Sequence, residues 1–269
     1  MYQTIGFIGT GNMGSAIARA AAGSGLTETI LLSNRTSAKA EALAAQLPGA
    51  YISTNEEIAQ MAQLIFLGVK PQMMQLALGP LEPILRKRED RFILVTMAAG
   101  LSCERIQDIV DMDCPVIRMM PNTPTAIGAG VIQYCGLGVT MDDLDSFAAL
   151  LSPAGLVDPV PESLIDAASA VSGCGPAFAY LFLEALADGG VACGLPRDKA
   201  VSYAARMLEG AARMALESGQ HTGALKDAVC SPGGTTIQGV RALEERGFRA
   251  AAMDAVIAAY EKTVKLAKK

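Results

Sequence analysis

The chain has 269 residues, 51% of them hydrophobic, and a formal net charge of −5. This length and composition are sufficient for a well-buried core in one large domain or in two domains of ordinary size. The 22 Lys and Arg residues are dispersed along the sequence. Because binding to a phosphate backbone requires clustered cations, this distribution argues against a nucleic-acid partner.

Cysteine, histidine and apolar runs exclude further classes of protein. The six cysteines form no CxxC pair and there is one histidine, so no metal site is predicted. No apolar run approaches the roughly 18 to 20 residues of a membrane span, and the N-terminus lacks the basic start and cleavage site of a signal peptide. We therefore expect a cytoplasmic protein without membrane contact. The Lys-rich end at 261–269 is interpreted as the last turns of a helix, whose C-terminal dipole favours cations.

Short β-rich runs alternate with Ala-rich amphipathic stretches over residues 1–161. Helix signals lie between several of these runs, with N-caps expected at Thr54 or Asn55 and at Ser102. Near-continuous apolar strands separated by helices indicate a parallel sheet covered on both faces, and hence a doubly wound α/β domain. Strands are predicted at 5–8, 30–33, 50–53, 64–69, 92–98, 115–120, 130–135 and 156–160.

Residues 162–269 contain no convincing strand and predict an all-α second domain. Helical segments are expected at 162–192, which Gly and Pro interrupt, and at 197–218, 235–246 and 248–267. These segments are rich in Ala and Gly, which permits close helix contacts. We expect a homo-oligomer formed through these C-terminal helices, although packing within one monomer would explain the same residues.

A glycine-rich loop opens the chain. Gly9, Gly11 and Gly14 have the G-x-G-x-x-G spacing directly after a predicted strand and at the start of a helix. Gly9 allows a tight turn, Gly11 leaves room for a pyrophosphate, and Gly14 lets the helix approach the sheet. The pattern predicts a Rossmann domain that binds a dinucleotide through Ile8, Gly9, Thr10, Gly11, Asn12, Met13 and Gly14; a Gly-rich turn of another α/β fold is the alternative.

The end of the second strand indicates which dinucleotide is bound. An Asp or Glu at this place would bind the ribose 2′-hydroxyl and repel a 2′-phosphate. Here Ser33, Asn34 and Arg35 offer a hydroxyl, an amide and a guanidinium, which suit phosphate oxygens. The sequence therefore favours NADP(H) over NAD(H), although Arg35 could be a solvated surface charge.

The rest of the cofactor pocket is expected at the C-terminal ends of later strands, where open α/β sheets place ligands. Three segments follow predicted strands there: 68–72, 97–100 and 119–124. Prolines restrict the conformation of the first and third segments. The side chains of Lys70 and Asn122 supply polar groups that can reach a ligand. Each segment alone could be a simple turn. The prediction of a cofactor pocket rests on the position that all three share, at the C-terminal ends of strands.

An anion site is predicted at residues 231–236. Pro232, Gly233 and Gly234 form a loop with little side-chain bulk, before a helix that begins near Thr235. The first amides of a helix have no internal partners and favour an anion, and Ser231 and Thr236 add hydroxyls. A small carboxylate would suit this site, although the same residues also describe an ordinary capped helix start.

The sequence resembles pyrroline-5-carboxylate reductases from end to end. The matching segments, in order and spacing, are IGFIGTGNMG, SNR, GVKPQ, RMMPNTP, SGCGPAFAY and AVCSPGGTTIQGVRALE. The last resembles the signature of the family almost letter for letter, whereas Phe178 departs from the commoner GPAY. The resemblance implies NAD(P)H-dependent reduction of the cyclic imine pyrroline-5-carboxylate to L-proline, the last step of proline biosynthesis. It also implies an intertwined dimer, often assembled into a decamer.

Roles for individual residues follow from the resemblance, motif by motif. Gly9 to Gly14 would hold the pyrophosphate, and Ser33 to Arg35 the 2′-phosphate. Thr236 would face the ring nitrogen, and since a Thr hydroxyl is a poor general acid we expect it to orient the substrate. The remaining cofactor contacts implied are Asn55, Val69, Lys70, Pro71, Met97, Ala98, Ala99 and Asn122, and the carboxylate contacts implied are Ser231, Gly233, Gly234, Thr235 and Thr236.

Three other functions remain as alternatives. A β-hydroxyacid dehydrogenase would need a catalytic lysine in the first long helix of the second domain, but no lysine occurs between Lys87 and Lys199. A related imine or F420-linked reductase is the second. A non-catalytic NADP-binding sensor would keep the glycine loop but has no need of the 231–236 loop. The single histidine, His221, lies in a polar turn and is expected to be structural or solvated.

Overall fold

The computed structural model describes residues 2–267. Within them one eight-stranded sheet runs in the order β3-β2-β1-β4-β5-β6-β7-β8. All eight predicted strands are present, and the predicted α/β fold class is confirmed. The strands are β1 Tyr2–Ile8, β2 Thr27–Ser33, β3 Ala50–Ile52, β4 Leu64–Leu67, β5 Ile93–Thr96, β6 Val116–Pro121, β7 Gly130–Leu137 and β8 Gly155–Pro159.

Within residues 2–174, eight α-helices accompany the sheet. Thr54 begins α3 with a reciprocal capping box, since its side chain accepts from the Glu57 amide while the Glu57 carboxylate accepts from the Thr54 amide. Ser102 caps α6 as predicted. The predictions missed α4, α5 and α7. The helices are α1 Asn12–Ser24, α2 Ser37–Ala44, α3 Asn55–Met61, α4 Met74–Leu78, α5 Glu82–Leu85, α6 Cys103–Val110, α7 Met141–Leu151 and α8 Glu162–Ser172.

The sheet has a separate apolar core on each face, because successive side chains of a strand point to opposite sides. On one face Phe7 stacks on Phe66 with ring centroids 4.5 Å apart, and Phe147 of α7 lies against Phe66. On the other face Ile65 and Leu67 of β4 pack in a cluster with residues of α3 and α6. Burial on both sides explains why these strands read as continuous apolar runs.

The last two strands, β7 and β8, depart from the predicted parallel sheet, because they run opposite to the other six. β7 runs antiparallel to β6, with Arg118 opposite Cys135 and Pro121 opposite Ile132. Only the short 3-10 turn Thr123–Ile127 joins the two strands, and a parallel connection would need a crossover of a dozen or more residues. β8 is parallel to β7, so the direction reverses once and the sheet stays predominantly parallel.

Five more helices follow β8 and α8. Residues Gly175–Ala258 form one compact unit, and the residues up to Cys174 together with those from Ala259 form the other. The predicted domain boundary between residues 161 and 162 stays a prediction, and its ranges include residues 1, 268 and 269, which lie outside the described part. The helices are α9 Gly175–Ala192, α10 Arg197–Ser218, α11 Thr222–Ala228, α12 Thr235–Glu245 and α13 Phe248–Ala267.

The helix α10 has the predicted bounds, Arg197–Ser218. Pro196 precedes α10, and Gly219 ends it in the left-handed conformation with φ 64°. α11 was not predicted. His221 begins it, since the Nδ1 atom accepts a hydrogen bond of 3.0 Å from the Gly223 amide. The expected structural role of His221 thus has a specific form, a helix N-cap.

The expectation that no segment has the character of a membrane span is wrong. By length and composition the stretch Glu162–Ala192 could cross a membrane, and little of it is buried within the chain. Exposed apolar side chains extend beyond it. Among the described residues, 18 of the 25 large hydrophobic side chains that are exposed lie within 162–266, including Leu216 at 85% exposure and Leu181 at 69%. A surface of this kind indicates a partner of some sort.

Candidate functional site

A cavity of 860 Å³ opens at the C-terminal ends of β1, β2 and β4. This is the point where the strand order reverses from β1 to β4, and open α/β sheets bind ligands at such a point. Its lining residues are Ile8, Gly9, Gly11, Ser33, Asn34, Arg35, Thr36, Lys39, Ser53, Thr54, Asn55, Gly68, Val69, Lys70, Gln72, Met73, Leu76 and Ala77.

Each glycine of the loop has its own steric reason. Gly9 has φ 101°, and a Cβ there would lie 2.6 Å from the carbonyl oxygen of Gly68. A Cβ at Gly11 would meet no protein atom within 4 Å, so its side faces open space that a ligand can occupy. At Gly14 a Cβ would overlap with the carbonyl oxygen of Gly9. Gly14 therefore leaves room for the glycine loop itself. The sequence had predicted that Gly14 lets the helix approach the sheet.

Internal hydrogen bonds already engage two of the three residues predicted to bind the 2′-phosphate. The Asn34 Oδ1 atom accepts from the Thr10 amide at 3.1 Å, and its Nδ2 donates to the Thr36 carbonyl at 3.0 Å. The Ser33 hydroxyl donates to Asn55 Oδ1 at 2.6 Å. These side chains hold the ends of β1, β2 and α3 together. Their direct contact with a phosphate stays a prediction.

The charge of the cavity is positive. Arg35, Lys39 and Lys70 all line it and are exposed, and no carboxylate is among the lining residues. Among the ion pairs of residues 2–267, none involves any of these three cations. Arg35 and Lys39 are four residues apart, and Lys39 lies in the first turn of α2. Their charges are therefore available to a phosphate at the end of β2.

Several predicted cofactor residues do not line this cavity: Thr10, Asn12, Met13, Gly14, Pro71, Met97, Ala98, Ala99 and Asn122. Asn122 is buried, and its side chain is engaged on both sides. Its Nδ2 donates to the Ser172 carbonyl at 3.0 Å, and its Oδ1 accepts from the Val131 amide at 2.9 Å. Asn122 thus joins the end of β6 to β7 and α8. A contact between it and the nicotinamide remains a prediction.

Sequence reasoning missed Thr36, Lys39, Ser53 and Thr54, which also line the cavity. Two signals were present in the sequence. Lys39 lies four residues after Arg35, and Thr54 begins a capping box that ends at Glu57. Hydrogen bonds from the Thr54 amide and the Ser53 hydroxyl lower the pKa of the Glu57 carboxyl. An ionised Glu57 fixes the start of α3, and with it the position of Asn55.

The predicted carboxylate loop has the conformation of an open helix start. Gly233 has φ 71°, and the Gly234 amide donates to the Ser231 carbonyl at 3.0 Å, which closes the turn. α12 then begins at Thr235 with no side-chain cap and no acidic residue in its first turn. A Cβ at Gly234 would overlap with the Ser231 hydroxyl.

The first turn of α12 is exposed and rich in donors. Thr235 and Thr236 are exposed, and neither hydroxyl takes part in a hydrogen bond within the described residues. The amides of the first turn have no internal acceptor, because an α-helix leaves its first N–H groups unpaired. Together with the helix dipole they favour a carboxylate. Ser231, Gly233, Gly234, Thr235 and Thr236 therefore form one turn, as predicted, with the chemistry of an anion site.

Two family models match separate parts of the chain. Residues 162–266 match the model described as pyrroline-5-carboxylate reductase dimerisation, which covers the exposed apolar helices. Residues 4–100 match the model described as NADP oxidoreductase, coenzyme F420-dependent, which covers the glycine loop and the cationic cavity.

Full-length relatives and solved structures agree with these matches. The pyrroline-5-carboxylate reductase of Escherichia coli is 40% identical over 271 residues, covering 100% of both chains. A structure of Plasmodium falciparum pyrroline carboxylate reductase with NADP bound is 31% identical with a TM-score of 0.85, covering 99% of this chain and 98% of that one. A pyrroline-5-carboxylate reductase from Coxiella burnetii is 30% identical with a TM-score of 0.89, covering 98% of each chain.

Proposed function

The chain belongs to the pyrroline-5-carboxylate reductase family, and we propose that it uses NADPH to reduce 1-pyrroline-5-carboxylate to L-proline, the last step of proline biosynthesis. The observation that carries this proposal is the pairing of two sites of defined chemistry in one chain. One is a cationic cavity behind a glycine loop, and the other is an uncapped helix start with free hydroxyls. A member of this family needs both, one for the dinucleotide and one for the amino-acid carboxylate.

The residues present fit NADPH. Gly11 leaves space beside the amides of α1 for a pyrophosphate, and the absence of carboxylates from the cavity removes the repulsion that a 2′-phosphate would meet. Arg35 and Lys39 supply the positive charge for that phosphate. Bound NADPH supplies the hydride for the reduction. NADH lacks the 2′-phosphate and gains nothing from these two cations, so it is the poorer cofactor.

The 231–236 loop binds the carboxylate of the substrate. The amides of Thr235 and Thr236 and the hydroxyl of Ser231 donate to its oxygens, while the Gly234 amide holds the turn closed through the Ser231 carbonyl. The imine is electrophilic once protonated, so the protein has mainly to position its carbon about 3 to 3.5 Å from the hydride donor. The Thr236 hydroxyl orients the ring nitrogen. Because a Thr hydroxyl is a poor acid, the proton on that nitrogen does not depend on Thr236.

The exposed apolar surface of 162–266 packs against a second copy of the chain. Its span coincides with the dimerisation model, and it explains the membrane-like composition of Glu162–Ala192 without a membrane. The first part of that stretch is engaged elsewhere, since Glu162 and Asp166 pair with the buried Arg118 of β6. We place the protein in the cytoplasm as a homo-oligomer assembled through its C-terminal helices. It takes a small-molecule substrate and binds no nucleic acid.

The decisive experiment is an assay of NADPH consumption with pyrroline-5-carboxylate as the substrate. We expect turnover, with proline as the product identified by mass spectrometry. A parallel reaction with 3-hydroxyisobutyrate and NADP⁺ should show none; turnover only there would instead identify a β-hydroxyacid dehydrogenase. Turnover with reduced F420 in place of NADPH would favour the F420-linked alternative. NADPH binding without turnover of any substrate would favour a sensor.

A further inference from the structure

A buried cluster outside the cofactor cavity brings two thiols together. Cys103 is the first residue of α6, and Cys135 lies on β7 directly opposite Arg118 of β6. The two sulfur atoms and a carboxylate oxygen of Glu162 all lie within 4.8 Å of one another. Neither cysteine has a role in the proposed reduction. We propose that Cys103 and Cys135 are a redox pair, which a peroxide converts into an intramolecular disulfide between α6 and β7.

A metal site is the other chemistry that these three groups suggest, but the surroundings oppose it. The guanidinium of Arg118 lies 3.4 Å from Glu162 Oε1, and the same oxygen accepts from the Cys103 amide at 2.8 Å. The carboxylate is therefore already engaged by a cation and by the start of a helix. Both are positive, so a divalent cation would be repelled. The same two features stabilise a thiolate, which is the species that reacts with peroxide.

The two thiols differ in ways that set the order of the reaction. Cys135 is partly exposed, and the neighbouring Cys103 thiol, together with Arg118, lowers the pKa of its thiol. Cys103 is fully buried, and its contact with Cys135 and its burial raise the pKa of its thiol. Cys135 is thus the accessible thiolate and Cys103 the resolving thiol beside it. This arrangement, a partly exposed cysteine of lowered pKa next to a second cysteine, is typical of redox-sensitive pairs.

The reaction balances with hydrogen peroxide as the oxidant. The Cys135 thiolate attacks one peroxide oxygen, so that an S–O bond forms and the O–O bond breaks. Hydroxide leaves and takes up the proton that Cys135 released on ionisation, which gives the first water. Cys103 then attacks the sulfenic acid of Cys135, the S–O bond breaks, and the Cys103 proton leaves with hydroxide as a second water. Two thiols and one peroxide become one disulfide and two waters. A small thiol reverses the change by exchange.

Peptide mapping of the wild-type protein tests this pairing directly. The protein is treated with peroxide, alkylated, and digested under non-reducing conditions with trypsin and an enzyme that cleaves before Asp. Cys103 then lies alone in peptide 92–105, and Cys135 lies alone in peptide 119–141. We expect these two peptides to be joined, to separate with dithiothreitol, and to weigh two hydrogen atoms less when joined. Unlinked peptides, with Cys135 oxidised to a sulfinic acid or left reduced, would overturn the proposal.

Variants separate the two roles. In Cys103→Ser the sulfenic acid on Cys135 should persist and react with dimedone, whereas in Cys135→Ser the buried Cys103 should stay reduced. Cys114→Ser removes another buried thiol outside the cluster and should leave the cross-link unchanged. Equal cross-linking in Cys103→Ser and wild type would refute the pair. So would stoichiometric zinc binding by the reduced protein that Cys103→Ser abolishes, because the thiols would then be metal ligands.

Discussion

The hydroxyl of Ser33 donates a hydrogen bond of 2.6 Å to the Oδ1 atom of Asn55. This bond joins the end of β2 to the first residue of α3, two segments that both line the cofactor cavity. Ser33 therefore has its proton engaged by the protein. The Ser33 side chain, which the sequence predicted to bind a phosphate, thus positions Asn55.

We expect Ser33→Ala to weaken NADPH and NADH binding by a similar factor, because it releases Asn55 and leaves the cations of the cavity in place. The KM of each cofactor should rise several-fold, which corresponds to the loss of about one hydrogen bond. Steady-state kinetics with both cofactors measure this. A rise confined to NADPH would show instead that Ser33 contacts the 2′-phosphate.

Arg35 and Lys39 should determine the preference for NADPH. Replacing either with Ala removes a free cation near the end of β2, and we expect the KM for NADPH to rise roughly tenfold while that for NADH stays unchanged. The double variant should show the larger loss and use the two cofactors almost equally. Arg105→Ala, which removes an exposed cation outside the cavity, is the matched control. An equal effect on both cofactors would contradict a role in phosphate recognition.

The glycine loop offers a pair of variants with opposite effects. Gly11→Ala adds a methyl group where no protein atom lies within 4 Å, so thermal stability should change little while NADPH binding falls by about tenfold or more. Gly14→Ala places the same group against the Gly9 carbonyl and should destabilise the fold by about 1 to 3 kcal/mol. Differential scanning fluorimetry with and without NADPH separates the two. The account fails if Gly11→Ala binds NADPH normally.

Thr236→Val should lower kcat only partially, by roughly tenfold, since it removes one orienting hydrogen bond and preserves shape. Thr236→Ser keeps the hydroxyl and should retain most of the activity. Thr235→Val is the neighbouring control, because the role proposed for Thr235 rests on its backbone amide. If Thr236→Val were as inactive as a deletion of the loop 231–236, Thr236 would have to act as the proton donor.

Arg118 should be the most important ionic residue for stability in the sheet domain. It is buried, and it pairs with Glu162 at 3.4 Å and with Asp166, both on α8. Arg118→Leu leaves two carboxylates without their cation and should cost about 3 kcal/mol of unfolding free energy. Arg91→Leu breaks the more exposed pair with Asp143 and should cost less than about 1 kcal/mol. Urea denaturation of both variants would refute this ranking if the two losses were equal.

The sequence allowed the strands, most helices and the glycine loop to be predicted, because each depends on a local pattern. Apolar runs mark strands buried on two faces, and Ser102 and Gly219 mark helix ends. The antiparallel β7 was missed because strand direction depends on the length of a connection, here the short turn Thr123–Ile127. The internal bonds of Asn34 and Asn122 were also missed, since their partners Thr10 and Ser172 are 24 and 50 residues away.

Which side chains cluster depends on the register in which neighbouring strands pair, and this register cannot be read from the sequence. Cys103 and Cys135 approach each other only because β6 and β7 pair with Arg118 opposite Cys135. Lys39 reaches the cavity from the first turn of α2, four residues after Arg35. The charge of the cavity therefore became apparent only from the tertiary structure.

The two outermost strands limit how copies of this chain can assemble. β3 has three residues, and β8 carries Asp158 and Pro159 at its end. The shortness of β3, and the charge and the proline at the end of β8, each hinder the addition of a strand from another molecule. Growth of the sheet from one copy into the next is thereby blocked at both rims, which protects the protein against fibril formation. Under the proposed assembly, copies of the chain would associate through helical surfaces and not through strand edges.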